Sequence, residues 1–335
     1  MKIADGKPVP LLDGELTICR GANGGIQWLA SNGRPELAAA ASMIPRGFSK
    51  PDSSLITDLN HVVKTAQDLD YEIRVWPIPA KDRRYCAFFY ASYDVKGERN
   101  QLGRILGVCT NQMNAGLEDK FSMGFWKSQK MEQSNLATSP NYTETKAAQK
   151  ALADLTWYKA LLESMTYTDF DPDTRRRKGV PPPGNTPCVI RNDDPKHTDP
   201  SCILIGDSKG VCDNLGREQP GAERYSALDA APMKIRMREI GCKPRWLPHD
   251  RNPADGLTKF RGAHIVPMID LLKTGKFILA QTADELARKK EAKDTLGYTP
   301  RPKTGVRAVT AQIHKAVVSE VEWAMARLSS SDGDN

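Results

Sequence analysis

Between Glu15 and about Asp70 the apolar residues recur at helical spacing: Ile26 and Leu29, then Leu37, Ala38 and Ala41, then Leu55, Leu59, Val62 and Val63. Gly33-Arg34-Pro35 and Ser49-Lys50-Pro51 interrupt this pattern, so it predicts a small unit of several helices. From Tyr71 onward the chain changes to short runs rich in aromatic and β-branched residues, which predict strands at 71–75, 86–90, 104–108 and 121–126. Ala148, Ala151, Leu152, Leu155, Tyr158, Leu161, Leu162 and Met165 then form one stripe without a proline and predict a long helix over 143–165. In 171–184 the prolines fix φ and remove amide donors, which predicts a loop or insertion. An apolar strand at 202–205 ends at Gly206-Asp207 and is followed by a helical stretch over 223–240, interrupted at Pro232. A further strand at 244–247 leads to Asn252-Pro253, a helix cap followed by a proline at the first helical position. Two more helical patterns, 282–296 and 309–328, flank a linker rich in glycine and proline.

Composition narrows the class. With 335 residues, 39% hydrophobic and 27% charged, the chain can bury a core and is neither fibrous nor wholly disordered. No run reaches the roughly 18–20 apolar residues that cross a bilayer, and no apolar segment follows Met1, so an intracellular protein, cytoplasmic or nuclear, with no membrane partner is expected. The cysteines are seven in number, scattered and without a Cys-x-x-Cys pair, and are read as reduced packing residues. A net charge of +7 is compatible with a polyanionic partner without requiring one.

The acidic residues gain meaning from their places at element ends. Asp207 sits where a buried strand emerges, and Glu144 and Asp255 fall in first turns of predicted helices, positions from which three side chains could meet at one sheet edge. Carboxylates without histidine or cysteine ligands suit hard Mg²⁺, and two such ions about 3.5–4 Å apart support phosphodiester hydrolysis. Taken singly, each carboxylate would also serve as a cap or as a partner for the helix dipole.

The segment Arg245-Trp246-Leu247-Pro248-His249-Asp250-Arg251-Asn252-Pro253-Ala254-Asp255-Gly256-Leu257-Thr258-Lys259 resembles the closing motif of the ribonuclease H domain in copia-type (pseudovirus) retrotransposon polyproteins. Ile203-Leu204-Ile205-Gly206-Asp207-Ser208-Lys209 resembles that family's strand ending in a catalytic Asp, and Ser139-Pro140-Asn141-Tyr142-Thr143-Glu144-Thr145 resembles the start of the helix carrying its catalytic Glu. Residues 19–38 are similar to the segment that closes the family's reverse transcriptase domain, but no Tyr-x-Asp-Asp polymerase motif occurs.

The resemblance, which covers about residues 15–275, implies an α/β fold, a ribonuclease H-like mixed five-stranded sheet flanked by helices, with a helical N-terminal segment; the helical C-terminal tail that follows rests on periodicity alone. The implied division is 1–70, a remnant of the reverse transcriptase end, and 71–278, the ribonuclease H-like domain with a loop insertion at 169–200; the helical pattern of 279–335 adds a tail, without a counterpart in the family, that could dock on the core or meet a protein partner. The implied chemistry is Mg²⁺- or Mn²⁺-dependent cleavage of RNA in RNA–DNA hybrids, with two ions held by Glu144, Asp207 and Asp255. The family's first catalytic Asp aligns with Tyr90, a poor ligand at neutral pH, so impaired cleavage is expected. Asp94 is a candidate substitute ligand, too far along an extended strand unless the chain turns. His249 suits product release or proton transfer, or a plain solvent-facing role, and Arg175-Arg176-Arg177-Lys178 suits a phosphate backbone or simple solvation. Trp126 and Trp157 are expected in the core. The alternatives are a non-catalytic module for nucleic-acid binding or interaction, and a degenerate element remnant.

Overall fold

The computed structural model describes residues 8–93, 100–132, 139–174, 176–177, 200–219, 224–259 and 262–295. The N-terminal pattern forms α1 (Asp13–Asn32), α2 (Ala38–Met43) and α3 (Ser53–Asp68). Each long helix has a local start signal: the Glu15 carboxylate accepts from Leu12 N at 2.9 Å, and Asp52 Oδ1 accepts from Ser54 N at 2.9 Å. Their apolar stripes meet in one cluster containing Cys19, Ile26, Leu37, Leu55, Leu59 and Val62. The Arg34 guanidinium closes the unit by donating to the carbonyls of Ala66 at 2.8 Å and Leu69 at 3.1 Å.

The strand expected at 71–75 does not form. Tyr71 and Ile73 do pack partly buried against the sheet's core, but Trp76 N donates to Ser122 Oγ at 2.7 Å instead of joining a ladder. Pro77 and Pro79 remove the next donors, so an alternating apolar pattern is left as extended chain.

Beyond it the elements run β1 (Arg84–Ser92), β2 (Gln101–Cys109), α4 (Asn111–Asn114), β3 (Glu118–Lys120), β4 (Ser122–Lys130) and α5 (Pro140–Thr166). They continue with β5 (Phe170–Asp171), β6 (Arg176–Arg177), β7 (Cys202–Gly206), α6 (Lys209–Gly216), α7 (Arg224–Glu239), β8 (Cys242–Trp246), α8 (Val266–Thr274), β9 (Lys276–Ile278) and α9 (Thr282–Thr295). Five strands make the main sheet in the order β4-β2-β1-β7-β8. β1, β2 and β4 are antiparallel neighbours, whereas β1, β7 and β8 run parallel, so the expected mixed five-stranded α/β sheet is observed. The parallel step from β1 to β7 requires a crossover, and α5 lies on that path.

Side chains alternate across β1 between two apolar cores. Ala87, Phe89 and Ala91 face α5 and α7 through Ala148, Leu152, Leu155, Met233 and Met237. Cys86, Phe88 and Tyr90 face the opposite core with Leu257, Met268, Ile269 and Leu272. Burial on both faces explains why β1 and β7 read as continuous apolar runs.

Four local expectations change. α7 passes through Pro232 without breaking: Ala230, Met233 and Met237 are buried against the sheet, and that packing outweighs the lost amide bond. α5 starts earlier than predicted, at Pro140 with Ser139 Oγ accepting from Tyr142 N at 3.1 Å, which puts Glu144 in its second turn. The turn carrying Asp255, Pro253–Leu257, is a 3-10 helix rather than an α-helix. Trp157 is 59% exposed, on the side of α5 away from the stripe that faces the sheet, whereas Trp126 is half-buried and its indole donates to Ala30 O at 2.6 Å.

The described cysteines are free and buried, as packing residues should be. Among the described residues no helix is long and apolar enough to cross a membrane. The chain divides into two compact units, Met1–Glu285 and Leu286–Asn335. The helix expected at 309–328 lies outside the described residues, as do 178–199 of the expected insertion.

Candidate functional site

The register Phe88↔Ile205 between parallel β1 and β7 sets Tyr90 and Asp207 level at the carboxyl ends of the two strands. Both continue the same face as Phe88 and Ile205, and neighbouring strands lie about 4.8 Å apart. Asp207 leaves β7 where Trp246 Nε1 donates to its carbonyl oxygen at 2.8 Å, which holds the strand end against β8.

Asp255 reaches the same edge from the 3-10 turn above that face. Buried Asn252 fixes the turn twice: its Oδ1 accepts from Ala254 N at 3.1 Å, and its Nδ2 donates to Phe89 O at 2.9 Å. The turn can sit this low only because Gly103, paired with Tyr90, has no side chain. A Cβ there would stand 2.5 Å from Ala254 O and 2.8 Å from Leu257 Cβ. Glu144 arrives from α5 on the opposite face, with its Oε1 accepting from Ala91 N at 3.2 Å.

Glu144, Asp207, Tyr90, Ser208 and Lys259 border one cavity of about 390 Å³. Burial, and then the Asp207 charge, push the Glu144 carboxyl well above the ordinary carboxylate range. Burial also raises Asp207, opposed by its hydrogen bond with His249. Glu144 Oε2 and Asp207 Oδ1 are buried without a hydrogen-bond partner. Two orphaned carboxylate oxygens at one cavity, with an all-oxygen donor set, fit a hard divalent cation.

Asp255 is held differently. Its Oδ1 lies 3.0 Å from Lys259 Nζ and accepts from Thr258 Oγ1 at 3.2 Å. Its Oδ2 lies 2.8 Å from His264 Nδ1 and 3.6 Å from His249 Nε2. His249 Nδ1 is in turn 2.7 Å from Asp207 Oδ2, so this imidazole joins the two aspartates and is not merely solvent-facing. Lys259 Nζ also donates to Tyr90 Oη at 3.3 Å. Burial and the three neighbouring carboxylates hold the Tyr90 phenol far above neutral pH, so it is a neutral group.

Glu144, Asp207, Asp255, Tyr90 and His249 are thus gathered at one edge of the sheet. Asp94, Arg175 and Lys178 lie outside the described residues, and Arg176 and Arg177 form β6, paired with β5. Sequence reasoning missed Lys259 and His264. Lys259 was readable from its place four residues after Asp255 in a turn-forming segment, whereas His264 carries no local signal, since only the fold returns it to Asp255.

Three antiparallel strands continued by two parallel ones, flanked by helices, make the expected mixed five-stranded α/β sheet. No protein-family model matches the chain, and no curated protein matches it. Among solved structures it is similar to ribonuclease H1 from the halophilic archaeon Halobacterium salinarum NRC-1. That similarity has a TM-score of 0.29 and 12% identity, covering 51% of this chain and 90% of the other.

Proposed function

We propose that this chain is a ribonuclease H-like hydrolase module of copia-type retrotransposon descent, whose substrate class is RNA in RNA–DNA hybrids and whose cleavage is slowed by Tyr90. The observation that carries this reading is the pair of buried, unpartnered oxygens, Glu144 Oε2 and Asp207 Oδ1, at one cavity. The motifs around Glu144, Asp207 and Asp255 supply the family.

In this reading Glu144, Asp207 and Asp255 would hold two Mg²⁺ or Mn²⁺ ions. When bound, the metal supplies Lewis-acid polarisation of the phosphate and an activated water. The protein's own groups do the rest. Glu144 and Asp207, both with raised proton affinity, release protons as the cation binds, so metal affinity rises with pH. Lys259, between Asp255 and Tyr90, offers an ammonium to a phosphate oxygen. Tyr90 offers a neutral phenol where the family pattern has a carboxylate, so weakened metal binding and slowed cleavage are expected.

The test is incubation of the purified chain with an end-labelled RNA–DNA hybrid in Mg²⁺ or Mn²⁺. Slow cleavage of the RNA strand that vanishes in Asp207→Asn is expected, and cleavage unaffected by that substitution would overturn the assignment. A second reading, a non-catalytic hybrid-binding module, is favoured by the Lys259 ammonium, which neutralises Asp255 without any metal. It predicts hybrid binding with no cleavage in any metal.

A further inference from the structure

We infer that His249, Asp255 and His264 form a binding site for a borderline divalent transition-metal ion of the Zn²⁺ class, distinct in ligand chemistry from the carboxylate pair Glu144 and Asp207. One donor atom from each of the three residues lies within 4.8 Å of the others. Zinc bonds of ~2.0–2.2 Å in a tetrahedral site place donors ~3.3–3.6 Å apart; Asp255 Oδ2 and His249 Nε2 already stand 3.6 Å apart, and His264 Nδ1, at 2.8 Å from the same oxygen, has only to draw back by about 0.5 Å. The two imidazoles can supply that movement: their side chains are 53% and 39% exposed and stand on short 3-10 turns, His249–Arg251 and Ala263–Ile265.

The carboxylate between them is built in. The Asp255 side chain is 3% exposed, and Thr258 and Lys259 occupy its Oδ1. Oδ2 is the oxygen that both imidazoles approach.

The second observation comes from the far side of His249. Nε2 faces Asp255 while Nδ1 is hydrogen-bonded to Asp207 Oδ2 at 2.7 Å, which is the carboxylate–histidine arrangement that fixes tautomer and ring direction in histidine metal ligands. Asp207 is itself 8% exposed and keeps its other oxygen unpartnered. His249, Asp255 and His264 also border a cavity of about 860 Å³, which leaves room for water or an exogenous ligand at an open coordination position. Two imidazole nitrogens and a carboxylate select Zn²⁺, Co²⁺ or Ni²⁺ over Mg²⁺.

The inference shares Asp255 with the proposed hydrolase site but does not depend on cleavage. Its test is calorimetric titration of the full chain with ZnCl₂, paralleled by Co²⁺ titration followed in the visible spectrum. One tight equivalent is expected, with a cobalt band of nitrogen and oxygen ligation and no thiolate charge-transfer band in the near ultraviolet. His264→Ala and His249→Gln should each weaken binding at least about tenfold, and Asp207→Asn by about tenfold through loss of the orienting carboxylate. Far-ultraviolet circular dichroism and melting of each variant report folding, and stabilisation of His264→Ala by Mg²⁺ reports the Glu144 and Asp207 pair separately. Absence of zinc binding, zinc binding unchanged in His264→Ala, or a cobalt–thiolate band would each overturn the inference. The loss of Mg²⁺ stabilisation alone would instead count against the hydrolase reading.

Discussion

At the scale of single residues, the site is a set of carboxylates kept close together at low dielectric, and its consequences are electrostatic. Glu144 holds its proton more tightly in the folded chain than in the unfolded one, because burial and the Asp207 charge both disfavour its anion. Between the ordinary glutamate pKa of about 4.3 and the raised native value, the folded state therefore binds more protons, and stability falls as pH rises through that window. Glu144→Gln keeps an oxygen for Ala91 N and removes the ionisation. Without divalent cations the variant should match the parent near pH 4 and be the more stable of the two at pH 7. Denaturant unfolding at the two pH values checks this; an equal difference at both would show that the carboxylate is not strained.

At the scale of elements, the site depends on two pieces of backbone brought onto the sheet from opposite sides. α5 delivers Glu144 past Ala91, and the turn Pro253–Leu257 delivers Asp255 over Gly103. Gly103→Val would drive its side chain into Ala254 O and Leu257, lifting the turn and separating Asp255 from Asp207. A loss of about 1–3 kcal/mol is expected, the usual cost of overpacking, together with a reduced divalent-metal stabilisation. Thermal melts with and without Mg²⁺ measure both, and an unchanged melting temperature would refute the close approach.

The elements also mark what sequence pattern can reveal. β1, β2, β7 and β8 were legible because strands buried by packed layers leave apolar runs, and α5 because its buried stripe is long and free of proline. The run at 71–75 has the same local pattern but no free ladder to join, a fact decided by Ser122 and the prolines that follow. α7 departs from its pattern in the other direction, since Pro232 predicts an interruption that tertiary packing tolerates. Glu144, Asp207 and Asp255 were legible through motif and position. Lys259 and His264 gain their roles from contacts closed by the fold, and no periodicity encodes those.

At the scale of the whole molecule, the two apolar cores on either face of the sheet hold β1 and β7 in register, and that register makes Tyr90 the residue beside Asp207. On the proposed hydrolase reading, the ribonuclease H-like scaffold is intact and one missing carboxylate limits its chemistry. Single-turnover cleavage of an RNA–DNA hybrid by Tyr90→Asp, compared with the parent chain in Mg²⁺, tests it most directly. A gain of at least about a hundredfold is expected, equivalent to about 2.7 kcal/mol of barrier, abolished again by adding Asp207→Asn. A folded Tyr90→Asp protein that cleaves no faster than the parent would contradict it.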